Sequence, residues 1–85
     1  MARPEKHSLT LSGHRTSVSL EAEFWRAFRA IAKAEGRPIN ALAAEIDATR
    51  DPETGLASAI RLHVLAWYQR GRPDPAPSFR SAREP

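Results

Sequence analysis

The spacing of apolar residues changes near residue 20, and this change constrains the fold more than any other feature of the chain. Between residues 8 and 20 apolar and polar side chains alternate, with one shift of register at Ser12-Gly13. An apolar residue at every second position predicts a β-strand with one buried face. From residue 24 onward apolar residues recur three and four positions apart, as they do in amphipathic helices. The sequence therefore predicts a short N-terminal strand region followed by helices.

The strand over residues 15–20 has one apolar and one polar, basic face. Its apolar face carries Thr16, Val18 and Leu20, and the opposite face carries Arg15, Ser17 and Ser19. Such a strand needs a partner, because unpaired backbone N–H and C=O groups are costly to bury. Two partners fit the sequence. The strand can fold back on residues 9–11 through Ser12-Gly13, or it can pair with the same strand of a second chain.

Three helices are predicted after the strand. The first begins near Glu21, whose carboxylate suits the positive end of the helix dipole, and ends at Gly36, a residue favoured just past a helix end. The second begins near Pro38 and is stopped by Asp51-Pro52. A third helix over residues 56–70 is expected to return its apolar stripe to the same core. The apolar residues of the strand and the first two helices are predicted to form the core of a dimer: Val18, Leu20, Phe24, Trp25, Phe28, Ile31, Leu42 and Ile46.

The chain is short, with 85 residues and no cysteine. A domain of this size has a thin core, and without disulfides the remaining stability has to come from elsewhere. We therefore expect a partner chain, and a homodimer in particular. The 13 basic and 10 acidic residues leave a net charge of +3, and the excess lies mainly in residues 1–20. This distribution favours an anionic partner.

Several function classes find no support in the sequence. No apolar stretch approaches the roughly 20 residues of a membrane span, and the N-terminus lacks the apolar run of a secretory signal. His7, His14 and His63 lack the spacing and the neighbouring ligands of a metal site. No nucleophile elbow, phosphate loop or paired-acid spacing accompanies the serines, histidines and acids. We therefore expect a cytoplasmic protein with no enzymatic activity, metal, cofactor, membrane partner or small-molecule substrate.

Three segments carry a resemblance to a known family: Arg15-Thr16-Ser17-Val18-Ser19-Leu20, Phe24-Trp25 with Phe28, and Gly36-Arg37-Pro38-Ile39-Asn40-Ala41-Leu42. They resemble the ribbon-helix-helix family of bacterial and phage-type transcription regulators. Residues 13–17, 45–47 and 58–61 are similar to a short proteobacterial subfamily with an added C-terminal helix. The resemblance implies a mainly α fold with a short N-terminal β-strand, as an intertwined homodimer with an intermolecular antiparallel β-ribbon and a third helix. It also implies that the ribbon lies in the major groove of double-stranded DNA.

If the ribbon forms, two sets of residues are candidates for DNA contact. Arginine can donate two hydrogen bonds to a guanine edge and serine hydroxyls can donate or accept, so the outward residues Arg15, Ser17 and Ser19 are predicted to recognise bases. The start of the second helix offers free N–H groups and a positive dipole end, which attract phosphate. The predicted phosphate contacts are His14, Arg37, Ile39 and Asn40. Pro38 stands where family members often have Ser or Thr, and Asp51-Pro52 interrupts a helix that usually continues.

These observations predict three parts and one leading function. Residues 1–14 are an N-terminal arm or an extra short strand, residues 15–70 are the ribbon-helix-helix domain with its added helix over 56–70, and residues 71–85 are a disordered tail rich in proline and arginine. The leading hypothesis is a sequence-specific, DNA-binding transcriptional regulator that acts as a repressor. The alternative is a ribbon-helix-helix dimer that serves as a protein-protein association module without binding DNA.

Overall fold

The computed structural model describes residues 3–70, and the structural statements below refer to these residues. Two strands precede three helices: β1 (Glu5–Leu11), β2 (His14–Leu20), α1 (Ala22–Ala34), α2 (Ile39–Thr49) and α3 (Leu56–Arg70). The strand region followed by three helices agrees with the predicted mainly α fold. The tail over residues 71–85, predicted to be disordered, lies outside the described residues.

The two strands form an antiparallel hairpin within one chain. Glu5 pairs with Leu20 at one end and Leu11 pairs with His14 at the other. The connecting residues Ser12 and Gly13 have φ angles of 52° and 85°. Positive φ at both positions is typical of the two-residue turn whose twist matches that of the flanking strands. The strand that precedes α1 thus has a partner in its own chain along one edge, whereas the resemblance implied that its partner is a strand of a second chain.

The first two helices, α1 and α2, each end where a local signal stops them. Gly36, with a φ of 66°, follows α1; its N–H donates to the carbonyl of Lys33 at 3.0 Å, and the N–H of Arg37 donates to the carbonyl of Ala32 at 2.9 Å. These two bonds close the last turn in the Schellman arrangement. Pro38 is the N-cap of α2, and α2 ends before Asp51-Pro52. The predicted helix stops at Gly36 and before Asp51 are therefore confirmed.

The core lies between the hairpin and the helices. Ile60 and Val64 of α3 are buried in it, and Leu56 and Trp67 pack against it, which confirms that the third helix returns to the same core. Thr16 lies on the same strand face as Val18 and Leu20, as predicted, but it is exposed and not part of the core. The buried apolar residues of the strands and helices are Leu9, Leu11, Val18, Leu20, Phe28, Ile31, Ala32, Leu42, Ala43, Ile46, Ala59, Ile60 and Val64.

The eight residues predicted for a dimer core belong to the core of the single chain. Six of them are buried, and Phe24 and Trp25 are half-buried against the others. Trp25 is also covered by the imidazole of His7, whose ring stacks on the indole with centroids 4.0 Å apart. Whether a second chain adds to this core stays a prediction. Within residues 3–70 no helix is long and apolar enough to cross a membrane.

Candidate nucleic-acid interface

One face of the hairpin is polar and fully exposed. Residues that pair directly across antiparallel strands point to the same side of the sheet. Lys6 is paired with Ser19, Ser8 with Ser17 and Thr10 with Arg15, so these side chains share a face. All six are exposed. We call this set the outer hairpin face; it offers two cations and four hydroxyls and contains no acidic side chain: Lys6, Ser8, Thr10, Arg15, Ser17 and Ser19.

The opposite face of the hairpin fixes which residues point outward. Leu9, Leu11, Val18 and Leu20 are buried against the helices. A one-residue slip of the pairing would turn these apolar side chains to solvent, so their burial sets the register. The outer hairpin face is therefore held in place by the core and does not depend on contacts of its own.

The spacing of this face suits a DNA groove. Alternate residues of a strand lie about 6.6–6.8 Å apart, and neighbouring strands lie about 4.8 Å apart. A two-stranded ribbon of this size is one of the two elements that the major groove admits. Arg15 has no ion pair with any described residue, so its guanidinium is available to an external acceptor.

The two edges of the hairpin differ. The N–H of Thr10 donates to Oδ1 of Asn40 at 3.1 Å, so this backbone group points away from β2 and toward the start of α2. In an antiparallel pair, residues whose N–H groups point outward alternate with residues bonded across the pair. Thr10 pairs with Arg15 and Ser8 with Ser17, so the backbone groups of Arg15, Ser17 and Ser19 face the free edge of β2. Within residues 3–70 none of these backbone groups forms a hydrogen bond to another backbone group, and we call this side of β2 the open edge.

The predicted phosphate contacts are partly engaged within the chain. Arg37 forms ion pairs with Glu35 at 3.5 Å and with Glu45, and its Nη2 also reaches the carbonyl of Ala41. Its positive charge is therefore largely matched by two carboxylates. The side-chain oxygen of Asn40 accepts the bond from Thr10 and so joins the start of α2 to β1.

The main-chain donors at the start of α2 are still available. Pro38 provides no side-chain cap, and among the described residues nothing accepts a hydrogen bond from the N–H of Ile39 or Asn40. Free donors at a helix start favour anions. His14 is exposed at the first position of β2, beside the turn. Because Asn40 contacts β1, the start of α2 lies at the flank of the hairpin.

A family model described as a ribbon-helix-helix domain matches residues 4–68, which cover both strands and nearly all of the three helices. The chain belongs to the ribbon-helix-helix family. Proteins of this family are typically DNA-binding transcription regulators, and they are generally not enzymes. A search of the curated proteins gives no match to the chain, and a search of the solved structures gives none either.

The matched region of this ribbon-helix-helix domain begins at residue 4 and therefore includes β1. The base contacts predicted from the sequence lie on β2 alone, and the structure adds Lys6, Ser8 and Thr10 of β1 to the same face. Their signal was present, since they alternate with His7, Leu9 and Leu11 in the same period of two. The bond between Thr10 and Asn40 had no sequence signal, because it joins residues thirty positions apart.

Two arginines of the ribbon-helix-helix domain form hydrogen bonds at the connections between the elements of the fold. Nε of Arg61 in α3 donates to Oε1 of Glu21 at 3.0 Å, and its guanidinium also lies over the Phe24 ring. The pKa of the Glu21 carboxyl is lowered from its ordinary value of 4.5, first by a hydrogen bond from the backbone N–H of Glu21 and then by Arg61. This pair ties α3 to the residue that joins β2 to α1. Arg50 similarly bonds Asp47 at 2.8 Å and the carbonyl of Thr54 at 2.7 Å across the α2 to α3 turn.

The histidines of the ribbon-helix-helix domain lie on separate elements, with His7 on β1, His14 on β2 and His63 on α3. Residues 3–70 contain no group of three or more histidine, cysteine or acidic side chains placed to hold an ion. His7 stacks on Trp25, with its Nε2 3.6 Å from a carboxylate oxygen of Glu5, and His63 lies on α3. His7 thus contributes to packing.

Proposed function

We propose that this chain is a sequence-specific, DNA-binding transcription regulator that acts as a repressor by placing the outer hairpin face in the major groove. The observation that carries the proposal is the composition of that face: six exposed residues on a ribbon fixed by the core, with Lys6 and Arg15 and no carboxylate. Membership in the ribbon-helix-helix family supports it, because such proteins typically bind DNA.

Arg15 is the residue to which we assign the strongest base contact. Its guanidinium can donate two parallel hydrogen bonds to O6 and N7 of guanine, an arrangement worth about 1–3 kcal/mol of discrimination against another base. The hydroxyls of Ser17 and Ser19 can each donate or accept a hydrogen bond, so they can contact base edges that present an acceptor or a donor. Phosphate contacts are assigned to the N–H groups of Ile39 and Asn40, which lie at the flank of the hairpin, and to His14, which is exposed at the turn end of β2. Arg37 is a weaker candidate, since Glu35 and Glu45 already pair with it.

The functional unit is proposed to be a homodimer joined along the open edge of β2. The β1 edge is engaged near the turn, where Asn40 accepts from Thr10, whereas the β2 edge presents unpaired backbone groups. Open strand edges are templates for pairing with another strand. We propose a two-fold axis at Ser17, the middle of the three outward residues, so that Ser17 lies opposite the partner subunit's Ser17 and Arg15 opposite the partner subunit's Ser19.

In this dimer the central and the outer strands would contact different parts of the DNA. The sheet would contain four strands, and its two outer strands would lie about 14 Å apart at about 4.8 Å per step. The major groove is about 12 Å wide, so only the two central β2 strands would fit against the bases. The outer β1 strands would lie at the groove walls, where Lys6 and the hydroxyls of Ser8 and Thr10 would meet phosphates. Base recognition would then come from Arg15, Ser17 and Ser19.

Sequence selection from a random pool of duplexes tests the proposed function. We expect enrichment of a two-fold symmetric site, and binding to the selected duplex that falls steeply as salt is raised. The variant R15A/S17A/S19A should lose the preference for this duplex over a scrambled one. Arg70→Ala removes an exposed cation at the end of α3, outside the hairpin, and serves as the matched control. Selection that yields no enriched site, or a triple variant that retains the full preference, would contradict the proposal.

Proline substitutions test the dimer. Ser17→Pro removes an N–H that faces the open edge, so it should weaken dimerisation without breaking a hairpin bond. Ser8→Pro removes the equivalent N–H on the β1 edge and is the matched control. Sedimentation equilibrium should show a monomer or a weaker dimer for Ser17→Pro and the parental mass for Ser8→Pro. Equal masses for both variants would place the dimer contact elsewhere.

A second candidate function is the association module without DNA binding. Leu62 and Leu65 of α3 are 60% and 51% exposed, and exposed leucines of this size suit contact with another protein. This candidate predicts that random duplex DNA does not bind at any salt concentration. It also predicts that replacing both leucines with Gln abolishes binding of the partner protein, whereas R15A/S17A/S19A has no effect on that binding. The opposite pattern favours DNA recognition.

A further inference from the structure

The described arginines and lysines fall into two groups. Arg37, Arg50 and Arg61 each form an ion pair with a carboxylate. A second group has no such pair within residues 3–70, and it includes three neighbours on α1 as well as Arg3, Arg70 and the two cations of the outer hairpin face. We call the three neighbours the α1 basic stripe: Arg26, Arg29 and Lys33.

The α1 basic stripe follows one exposed side of the helix. Its members are separated by three and four positions, which places them on one face. Phe28, Ile31 and Ala32 are the buried residues of α1, and they occupy the other side. Together with Ala30 the three cations line a shallow concave surface, and all four residues are exposed.

The placement of three cations along one side of α1 contributes little to the stability of the fold. Like charges three and four positions apart on a helix repel one another. Arg26 and Arg29 form one such pair, and Arg29 and Lys33 form another. Lys33 is favoured by the negative end of the helix dipole, but the two arginines lie farther from it. Glu23 is an acid on the same helix, one turn before Arg26, and it makes no ion pair in the described region.

We infer that the α1 basic stripe binds the phosphate backbone of double-stranded DNA without regard to sequence. The choice of DNA rests on the proposed function, and the charge, exposure and spacing come from α1 itself. From Arg26 to Lys33 the helix rises about 10 Å at about 1.5 Å per residue. Phosphates of one DNA strand follow one another every 3.4 Å or so along the axis, so about three of them lie within this length. Bound phosphates would also relieve the repulsion within the stripe.

The test compares two triple variants of the full chain on a duplex of mixed sequence. R26Q/R29Q/K33Q removes the charge and keeps strong helix formers. R26K/R29K/K33R keeps the charge and is the matched control. For the glutamine variant we expect weaker binding and a plot of log affinity against log salt whose slope is shallower by about 2 to 3, or about 0.9 for each lost phosphate contact. The control should keep the parental slope. Helicity and dimer mass should be unchanged in both, and Tm should not fall.

The failure of this inference is distinguishable from failure of the proposed function. The sequence preference of R15A/S17A/S19A tests the outer hairpin face. The slope of log affinity against log salt for R26Q/R29Q/K33Q tests the α1 basic stripe. An unchanged slope and affinity in R26Q/R29Q/K33Q would overturn the inference. Binding to a polyglutamate peptide that the glutamine variant loses, with DNA binding intact, would overturn it too and assign an acidic protein partner instead.

A second measurement distinguishes the two sources of phosphate. Energy transfer between two differently labelled duplexes reports whether one protein assembly holds both at once. Transfer that disappears in the glutamine variant would show that the stripe binds a second duplex. Absence of transfer, together with the shallower salt slope, would show that it binds flanking phosphates of the duplex held by the hairpin. Both results support phosphate binding by the α1 basic stripe.

Discussion

The two faces of the hairpin are made from the same two strands but differ in burial and in polarity. On the inner face Leu9, Leu11, Val18 and Leu20 are buried against the helices. On the outer hairpin face all six residues are exposed. Because the inner face and the Ser12-Gly13 turn set the register, the outer side chains can vary with little effect on the fold.

This difference separates stability from recognition. A change on the inner face is expected to alter the free energy of unfolding, and any loss of DNA binding would follow from unfolding. A change on the outer hairpin face is expected to alter binding while the free energy of unfolding stays constant. Variants that mix the two effects would show that the separation is incomplete.

The largest expected effect comes from the inner face. Leu20 is fully buried, so Leu20→Ala should lower the free energy of unfolding by about 2–5 kcal/mol. Thr16→Ala changes an exposed residue of the same strand face and should shift it by less than about 0.5 kcal/mol. Urea unfolding monitored by circular dichroism measures both. Similar stabilities for the two variants would mean that the hairpin does not pack on the helices in solution.

The next effect concerns Arg15. Arg15→Lys keeps the positive charge but loses the planar fork that bonds a guanine edge twice. We expect the variant to fold normally, to keep its salt dependence, and to lose about 1–3 kcal/mol of discrimination at one base pair of each half-site. Fluorescence anisotropy on the selected duplex and its single-base variants measures this. Uniform weakening on every duplex would instead indicate that Arg15 contacts phosphate.

A smaller effect is expected where the hairpin meets α2. Asn40→Ala removes the acceptor of the Thr10 N–H and should lower the free energy of unfolding by about 0.5–1.5 kcal/mol. Hydrogen exchange of the Thr10 amide should become faster, whereas that of His7, in the middle of the hairpin, should stay nearly constant. Unchanged exchange at Thr10 would show that this bond does not protect the β1 edge.

The smallest effect is a pH dependence at Glu21. Its pKa is lowered from 4.5 in the folded chain, so the ionised carboxylate stabilises the fold above about pH 4.5. This contribution is lost as the pH falls through the lower, folded-state pKa. Glu21→Gln should therefore flatten the loss of stability on acidification. Glu23→Gln, which removes an exposed acid without an ion pair, should leave the acid limb of the Tm profile nearly parental.

Much of this architecture follows from local signals in the sequence. The period of two, the glycine at position 36 and the break at Asp51-Pro52 each act within a few residues, so the strand region and the ends of the first two helices were predictable. Such signals did not decide the partner of β2. Its backbone N–H and C=O groups can be satisfied equally well by a strand of the same chain or by a strand of a second chain. The engagement of Arg37 with Glu35 and Glu45, and of Asn40 with Thr10, arises only when the elements pack.

The most direct test of the outer hairpin face is nuclear magnetic resonance of the labelled chain titrated with its selected duplex. We expect the largest shifts of backbone amides and side chains at the six outer residues and at the start of α2, near Ile39. The buried inner face should show much smaller shifts. Strong shifts confined to α3 around Leu62 and Leu65, with the hairpin unaffected, would contradict DNA recognition by the outer hairpin face.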